Sequence, residues 1–124
     1  MERRVDLSNL DLDQAAGIIA ERHRQWAQRG LDVGAPTWVD NDAGWPPRLL
    51  TDRGRARRPM SVGVRVGREN PYAEAVFVLY AGGWVDVDHV AAGSDTVLSE
   101  RVELDDVEQF RAVLDRVVAQ LSTG

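Results

Sequence analysis

Hydrophobic positions recur with two different periods along this chain, and the switch between them marks out its elements. From Asp11 to Arg29 the spacing is helical: Leu12, Ala15, Ile19 and Trp26 share one stripe, with Ala16 and His23 beside it. Asp11 and Gln14 have the spacing of a capping box, and Gly30 offers a stop, so the pattern predicts an amphipathic helix over 11–29. Pro36, Gly44 and the Pro46-Pro47 pair then break regular structure, leaving room for a short strand at 37–40. From Met60 the period becomes two. "MSVGVRVG" puts Val62, Val64 and Val66 on one face and Gly63 and Arg65 on the other, predicting a strand over 60–67.

"AEAVFVLYA" is a near-continuous apolar run at 73–81, as expected of a central strand. Gly82-Gly83 is a two-residue hairpin signal, both positions being free to take positive φ. "WVDVDHV" returns over 84–90, "GSD" turns again, and "TVLSERVEL" supplies a strand over 96–103. A second helix over 105–121 follows, with Asp105 and Glu108 as capping box and Val107, Phe110, Leu114, Val117 and Leu121 as its stripe, widened by Val113 and Val118. The expected architecture is α+β: an antiparallel β-meander of four to five strands, flanked by an N-terminal and a C-terminal amphipathic helix packed on one face. At 124 residues the chain suits a single domain over 1–124 with one hydrophobic core.

Composition narrows the function classes. Cysteine is absent, which removes disulfide frameworks, thiolate metal sites and thiol nucleophiles and suits a reducing cytoplasm. The start "MERRVDLSNLDLDQ" has no apolar run of a secretory signal, and the longest apolar run is far too short to span a bilayer. A cytoplasmic protein with no membrane partner is therefore expected. All 15 basic residues are Arg, and the net charge of −5 disfavours a nucleic-acid partner. The charge is uneven. Residues 48–68 hold seven Arg against one Asp, and residues 84–108 hold eight acids against one Arg. A bipolar surface favours steered association with charged partners. "RGRARR" before Pro59 reads as a mobile loop or an extended edge.

Candidate chemistry is sparse. In a strand, Asp86 and Asp88 share a face with Trp84, while His89 points the other way; two carboxylates are too few oxygen ligands for a hard cation. "DNDAG" at 40–44 begins like a calcium loop, but its glycine is one place early and Thr51 stands where a bidentate Glu belongs. No serine sits in a nucleophile elbow, and a chain without lysine has no P-loop. No metal, cofactor or catalytic residue is assigned, and the expectation is a non-enzyme. Four tryptophans are generous for this length. Trp26 and Trp38 suit the interior. Trp45 in a Pro-flanked loop and Trp84 at a hairpin end are either protein-binding anchors or pack on each other.

The aromatic-ending first helix, "GWPP" at 44–47, "VFVLYAGGWVDVDHV" at 76–90, "LSERVEL" at 98–104 and Phe110 in "DDVEQFRAVL" together resemble the small immunity proteins of bacterial polymorphic toxin systems, most nearly the TriTu type. The resemblance runs from about Trp26 to Leu121. The Arg-rich segment 48–58 and the Pro pair depart from it. It implies a cytoplasmic antitoxin that occludes the active site of a cognate protein toxin, one whose cleft is basic. The expected partner surface is Trp45, Trp84, Asp86, Asp88 and Glu100. Two other classes stay open: a small secretion chaperone or adaptor, and a nucleic-acid binder using segment 48–58. A homodimer is left open.

Overall fold

The two longest strands build the centre of the sheet. In the computed structural model, which describes residues 9–42 and 48–122, β3 (Pro59–Glu69) and β4 (Tyr72–Tyr80) pair antiparallel along their length, from Ser61 opposite Tyr80 to Glu69 opposite Tyr72. The turn between them is Asn70-Pro71, with a cis peptide bond. β5 (Trp84–Val90) adds to β4, and β6 (Leu98–Glu103) adds to β5. On the far side, β1 (Asp32–Val33) and β2 (Thr37–Asp40) both pair with β3, so the sheet has six antiparallel strands in the order β1-β3-β4-β5-β6, with β2 beside β3. The meander is as expected, and the apolar run of 73–81 is the central strand. β1 is the added strand: two residues are too few to show a period.

Alternation sorts the sheet into two faces. Val62, Val64 and Val66, then Ala73, Ala75, Phe77 and Leu79, then Val85 and Val87 are all buried and line one face. Helix α1 (Leu12–Gln28) packs over β3 and β1, and α2 (Val107–Ser122) over β4 and β3, with the helices touching each other. Trp26, Ile19, Phe110, Leu114, Val117 and Leu121 close the core from the helix side. Sequestering this apolar surface from water is the main stabilising term.

Several boundaries move for physical reasons. The α1 stripe runs through Ile18 rather than His23, which is exposed; Arg22 takes the position facing α2 and donates two hydrogen bonds to Asp115, at 2.9 and 3.1 Å. Asp11 caps α1 as expected, accepting from the N–H groups of Asp13 and Gln14, and Gly30 follows at φ +81°. The α2 cap is Asp106, not Asp105: its carboxylate accepts from the Gln109 N–H at 3.0 Å, and the Gln109 side chain accepts from the Asp105 N–H at 2.7 Å. The glycine hairpin is longer than two residues. Tyr80 pairs with Trp84 across Ala81–Gly83, and only Gly83 takes positive φ, at +114°.

The Arg-rich segment is not a free loop. It forms a 3₁₀ turn at Arg53–Arg55 with Asp52 as its cap, and Pro59 already belongs to β3. Arg53 is a strap: it bonds both carboxylate oxygens of Asp13 on α1 at 2.7 and 3.0 Å, donates to the Ala56 carbonyl, and lies 5.1 Å from the centre of the Trp38 ring. Asp40 holds the far end of the segment through the backbone N–H groups of Arg57 and Arg58.

Candidate protein-binding surface

The helices cover one face of the sheet, and the other face carries what is left for recognition. Its residues come from the opposite phase of the same strands: Gly63, Arg65 and Gly67 on β3, Tyr72, Glu74, Val76, Val78 and Tyr80 on β4, Trp84, Asp86, Asp88 and Val90 on β5, and Ser99, Arg101 and Glu103 on β6. Val76, Val78, Tyr80 and Trp84 are half-buried, an apolar band across the middle. A strand that read as apolar on both sides leaves just such a band when only one side is covered by helices.

Trp84 stands at the end of this band. Its ring stacks on Tyr80, with centroids 4.9 Å apart and planes at 17°, because the two are directly opposed across the hairpin. The Arg101 guanidinium also lies over the indole, 5.3 Å from its centre. The Trp84 indole N–H is the one buried polar side-chain atom among the described residues without a hydrogen-bond partner. Leaving such a donor unmatched costs about 1–3 kcal/mol.

The two aspartates do share the Trp84 face and point outward, as the alternation predicted. They are not equivalent. Asp86 faces Arg101 across the β5–β6 pair and accepts from its Nε at 2.8 Å and Nη2 at 3.4 Å, so its charge is already met. That contact holds the Arg101 guanidinium pKa above its ordinary value. Asp88 is exposed and, among the described residues, accepts only from the Ser99 hydroxyl, at 2.6 Å. At the other end of the face, Glu74 accepts from Arg65 Nε at 2.7 Å and from the Tyr72 hydroxyl. Burial, and then the charge of Asp86, push the Tyr80 phenol up.

Glu100 belongs elsewhere. It is opposite Val87, on the helix side of the sheet, and pairs with Arg116 of α2 at 2.5 Å. The expectation that it joins Trp84, Asp86 and Asp88 is corrected by its phase in β6: neighbours two apart share a face, and Glu100 sits one step from both Ser99 and Arg101. Trp45, with "GWPP", lies outside the described residues. His89 is on the helix side, opposite Ala75.

The face is shaped for contact rather than enclosure. Asp86, Asp88, Ser99 and Arg101 line an open depression of about 350 Å³, which Glu100 borders only because it lies between Ser99 and Arg101 along β6. A second hollow, of about 300 Å³, lies between the helices, among Arg22, Gln25, Trp26, Arg29 and Asp115. Neither has the apolar enclosure that a small-molecule site usually offers. Among the described residues, no three His, Asp or Glu side chains converge as for a metal ion. No helix there is long and apolar enough to cross a membrane. In the Arg-rich segment, Arg53 and Arg58 are engaged by Asp13 and Asp42.

Three carboxylates give the fold a common response to acid. Arg65 and then Tyr72 hold the Glu74 carboxyl below its ordinary range, Arg53 does the same for Asp13, and the backbone N–H of Asp42 leads for Asp40. A carboxylate lowered on folding contributes stability that is complete above its unfolded pKa and is lost as pH falls through the folded value. The urea midpoint is therefore expected to hold down to about pH 5 and to fall below about pH 4. Asp40→Asn should flatten that fall; an unchanged slope would show that Asp40 takes no part in it.

No protein-family model matches this chain, and no curated protein and no solved structure matches it.

Proposed function

We propose that this protein is a non-catalytic binding protein that docks a partner protein on the open face of its sheet. Within that class we read it as an immunity protein: a cytoplasmic antitoxin that neutralises a secreted bacterial toxin by covering a basic active-site cleft. The observation that carries the reading is the aromatic anchor in its setting. Trp84, stacked on Tyr80, ends an apolar band of Val76 and Val78. Among the described residues in regular strand register, leaving aside Asp40 beyond the irregularity in β2, six carboxylates on this face (Asp32, Glu69, Glu74, Asp86, Asp88 and Glu103) stand against two guanidinium groups, Arg65 and Arg101. A large aromatic ring beside apolar side chains and inside a charged rim has the anatomy of a binding hot spot.

Because Arg101 meets Asp86, the charge available to a basic cleft centres on Asp88 and Glu103, which make no ion pair among the described residues. Such charges act on encounter more than on the lifetime of the complex. The test uses the toxin domain encoded by the adjacent reading frame. The double change Asp88→Arg with Glu103→Arg is expected to slow association at low salt by about tenfold or more, and to remove most of the salt dependence seen with the unaltered protein. If rate and salt dependence both stay the same, this face is not where the partner lands.

A further inference from the structure

The two edges of the sheet are treated differently. At the β1–β2 edge both strands are short, Asp40 is out of register with Val39, and the segment around Leu50 closes the outer side of β2 through two backbone hydrogen bonds between Leu50 and Trp38, at 2.7 and 2.8 Å. β6 forms the opposite edge, and among the described residues nothing pairs with its outer side. Val102 on its inner face packs against the core, and Glu100 pairs with Arg116 of α2. Edge strands are commonly guarded by charge. Here the guard covers only the second half, Glu100, Arg101 and Glu103. Leu98 and Ser99 at the start of the strand, and Thr96-Val97 just ahead of it, are uncharged, and Val97 at 60% and Leu98 at 54% are two of the most exposed large apolar side chains of the described residues.

We infer that Leu98 and Ser99, with Asp95 to Val97 extended ahead of them to lengthen β6, pair with the same segment of a second copy of the chain, antiparallel about a two-fold axis through Leu98. The hydrogen-bond phase is fixed by Leu104, whose N–H donates to the Gly83 carbonyl at 2.8 Å. Stepping back along an antiparallel ladder, Val102, Glu100 and Leu98 turn their backbone groups to β5, while Arg101 and Ser99 turn theirs to the edge, as Val97 does once the strand is extended to it. A two-fold axis normal to the sheet keeps the helices of both copies on the same side, so residues facing each other must be of one phase. With Leu98 on the axis, Leu98 meets Leu98, Val97 meets Ser99, Thr96 meets Glu100, and Asp95 meets Arg101. The Asp95–Arg101 contact is of opposite sign and occurs twice by symmetry. Arg101 can make it while keeping Asp86, since that pair engages its Nε and Nη2.

Neighbouring registers are worse. Axes at Glu100 or Arg101 set like charges face to face, which destabilises a cross-strand pair. An axis at Ser99 sets Leu98 against Glu100 and Val97 against Arg101. An axis at Val102 leaves Val97 and Leu98 uncovered. The contact is one short ladder, below the area of a standard interface, so the dimer is expected to be weak, forming between about 10 μM and 1 mM.

The absence of cysteine makes the register directly readable. Leu98→Cys places the sole thiol on the axis, at the non-hydrogen-bonded position where facing Cβ atoms come closest. Under mild oxidation it is expected to give a disulfide dimer, while Val102→Cys stays monomeric. In sedimentation equilibrium the unaltered protein should shift toward dimer with concentration, and Leu98→Glu should weaken that association by about tenfold or more. A protein that is monomeric at about 1 mM, a dimer that survives Leu98→Glu, or cross-linking of Val102→Cys equal to that of Leu98→Cys would each overturn the inference. A dimer abolished by Trp84→Ala instead would assign self-association to the open face, and also overturns it. Toxin binding is read in a separate experiment through Asp88 and Glu103 rather than Leu98 and Val102, so failure of either proposal leaves the other standing.

Discussion

Phe77→Ala is expected to destabilise the fold by about 3–5 kcal/mol, a large part of the roughly 5–15 kcal/mol that holds a typical domain together. The reason is position as much as size. Phe77 is fully buried at the middle of the central strand, opposite Val64 on β3 and Val87 on β5, on the face that α2 covers. Its neighbours are backbone-fixed strands on two sides, which cannot collapse into the space a phenyl ring leaves. Urea denaturation monitored by tryptophan fluorescence would measure the loss. A cost below about 1.5 kcal/mol would mean that the helices do not press on the sheet at this point.

Trp84→Ala is expected to separate binding from folding. Loss of a central aromatic anchor costs a complex about 2 kcal/mol or more, roughly a 30-fold rise in Kd for the toxin domain. The fold itself should lose about 1–2 kcal/mol, from the Tyr80 stack and the contact with Arg101. Trp84→Phe sharpens the comparison. The indole N–H makes no hydrogen bond among the described residues, so its removal relieves an unmet donor while the smaller ring gives up packing, and stability should stay within about 1 kcal/mol of the original. If Trp84→Ala binds as well as the unaltered protein while Trp84→Phe is as stable, the ring is surface decoration and the open face loses its anchor.

The helices, the meander and the central strand were legible because hydrophobic periods report burial directly. Phe110, Leu114 and Val117 sit where a 3.6-residue period puts them, and Val85 and Val87 where a period of two does. What failed were the choices between equivalent neighbours. Asp105 and Asp106 are both good caps, and Glu108 and Gln109 are both good partners, so local sequence offers two equal boxes and packing of Val107 selects one. Ile18 and His23 lie on opposite flanks of one stripe, and only the position of α2 decides which flank is covered.

The site was legible in its direction but not in its pairing. Alternation alone placed Trp84, Asp86 and Asp88 on one face. That Asp86 is opposite Arg101, and Glu100 opposite Val87, depends on the β5–β6 register, which a seven-residue connection, with a turn at Ala91–Ser94 and irregular chain after it, does not fix. The strap made by Arg53 was hidden for a related reason: Asp13 is 40 residues away, and nothing local in "RGRARR" points to it.

The link between Asp86 and Arg101 has a geometric consequence for whatever docks there. With its counter-ion one strand over, this spot presents a dipole rather than a lone charge, its negative end toward the middle of the sheet and its positive end toward β6. An incoming surface meets it best with an acid and a base in the reverse order. Such matching penalises rotation about the docking axis, so the pair sets the angle at which a partner sits.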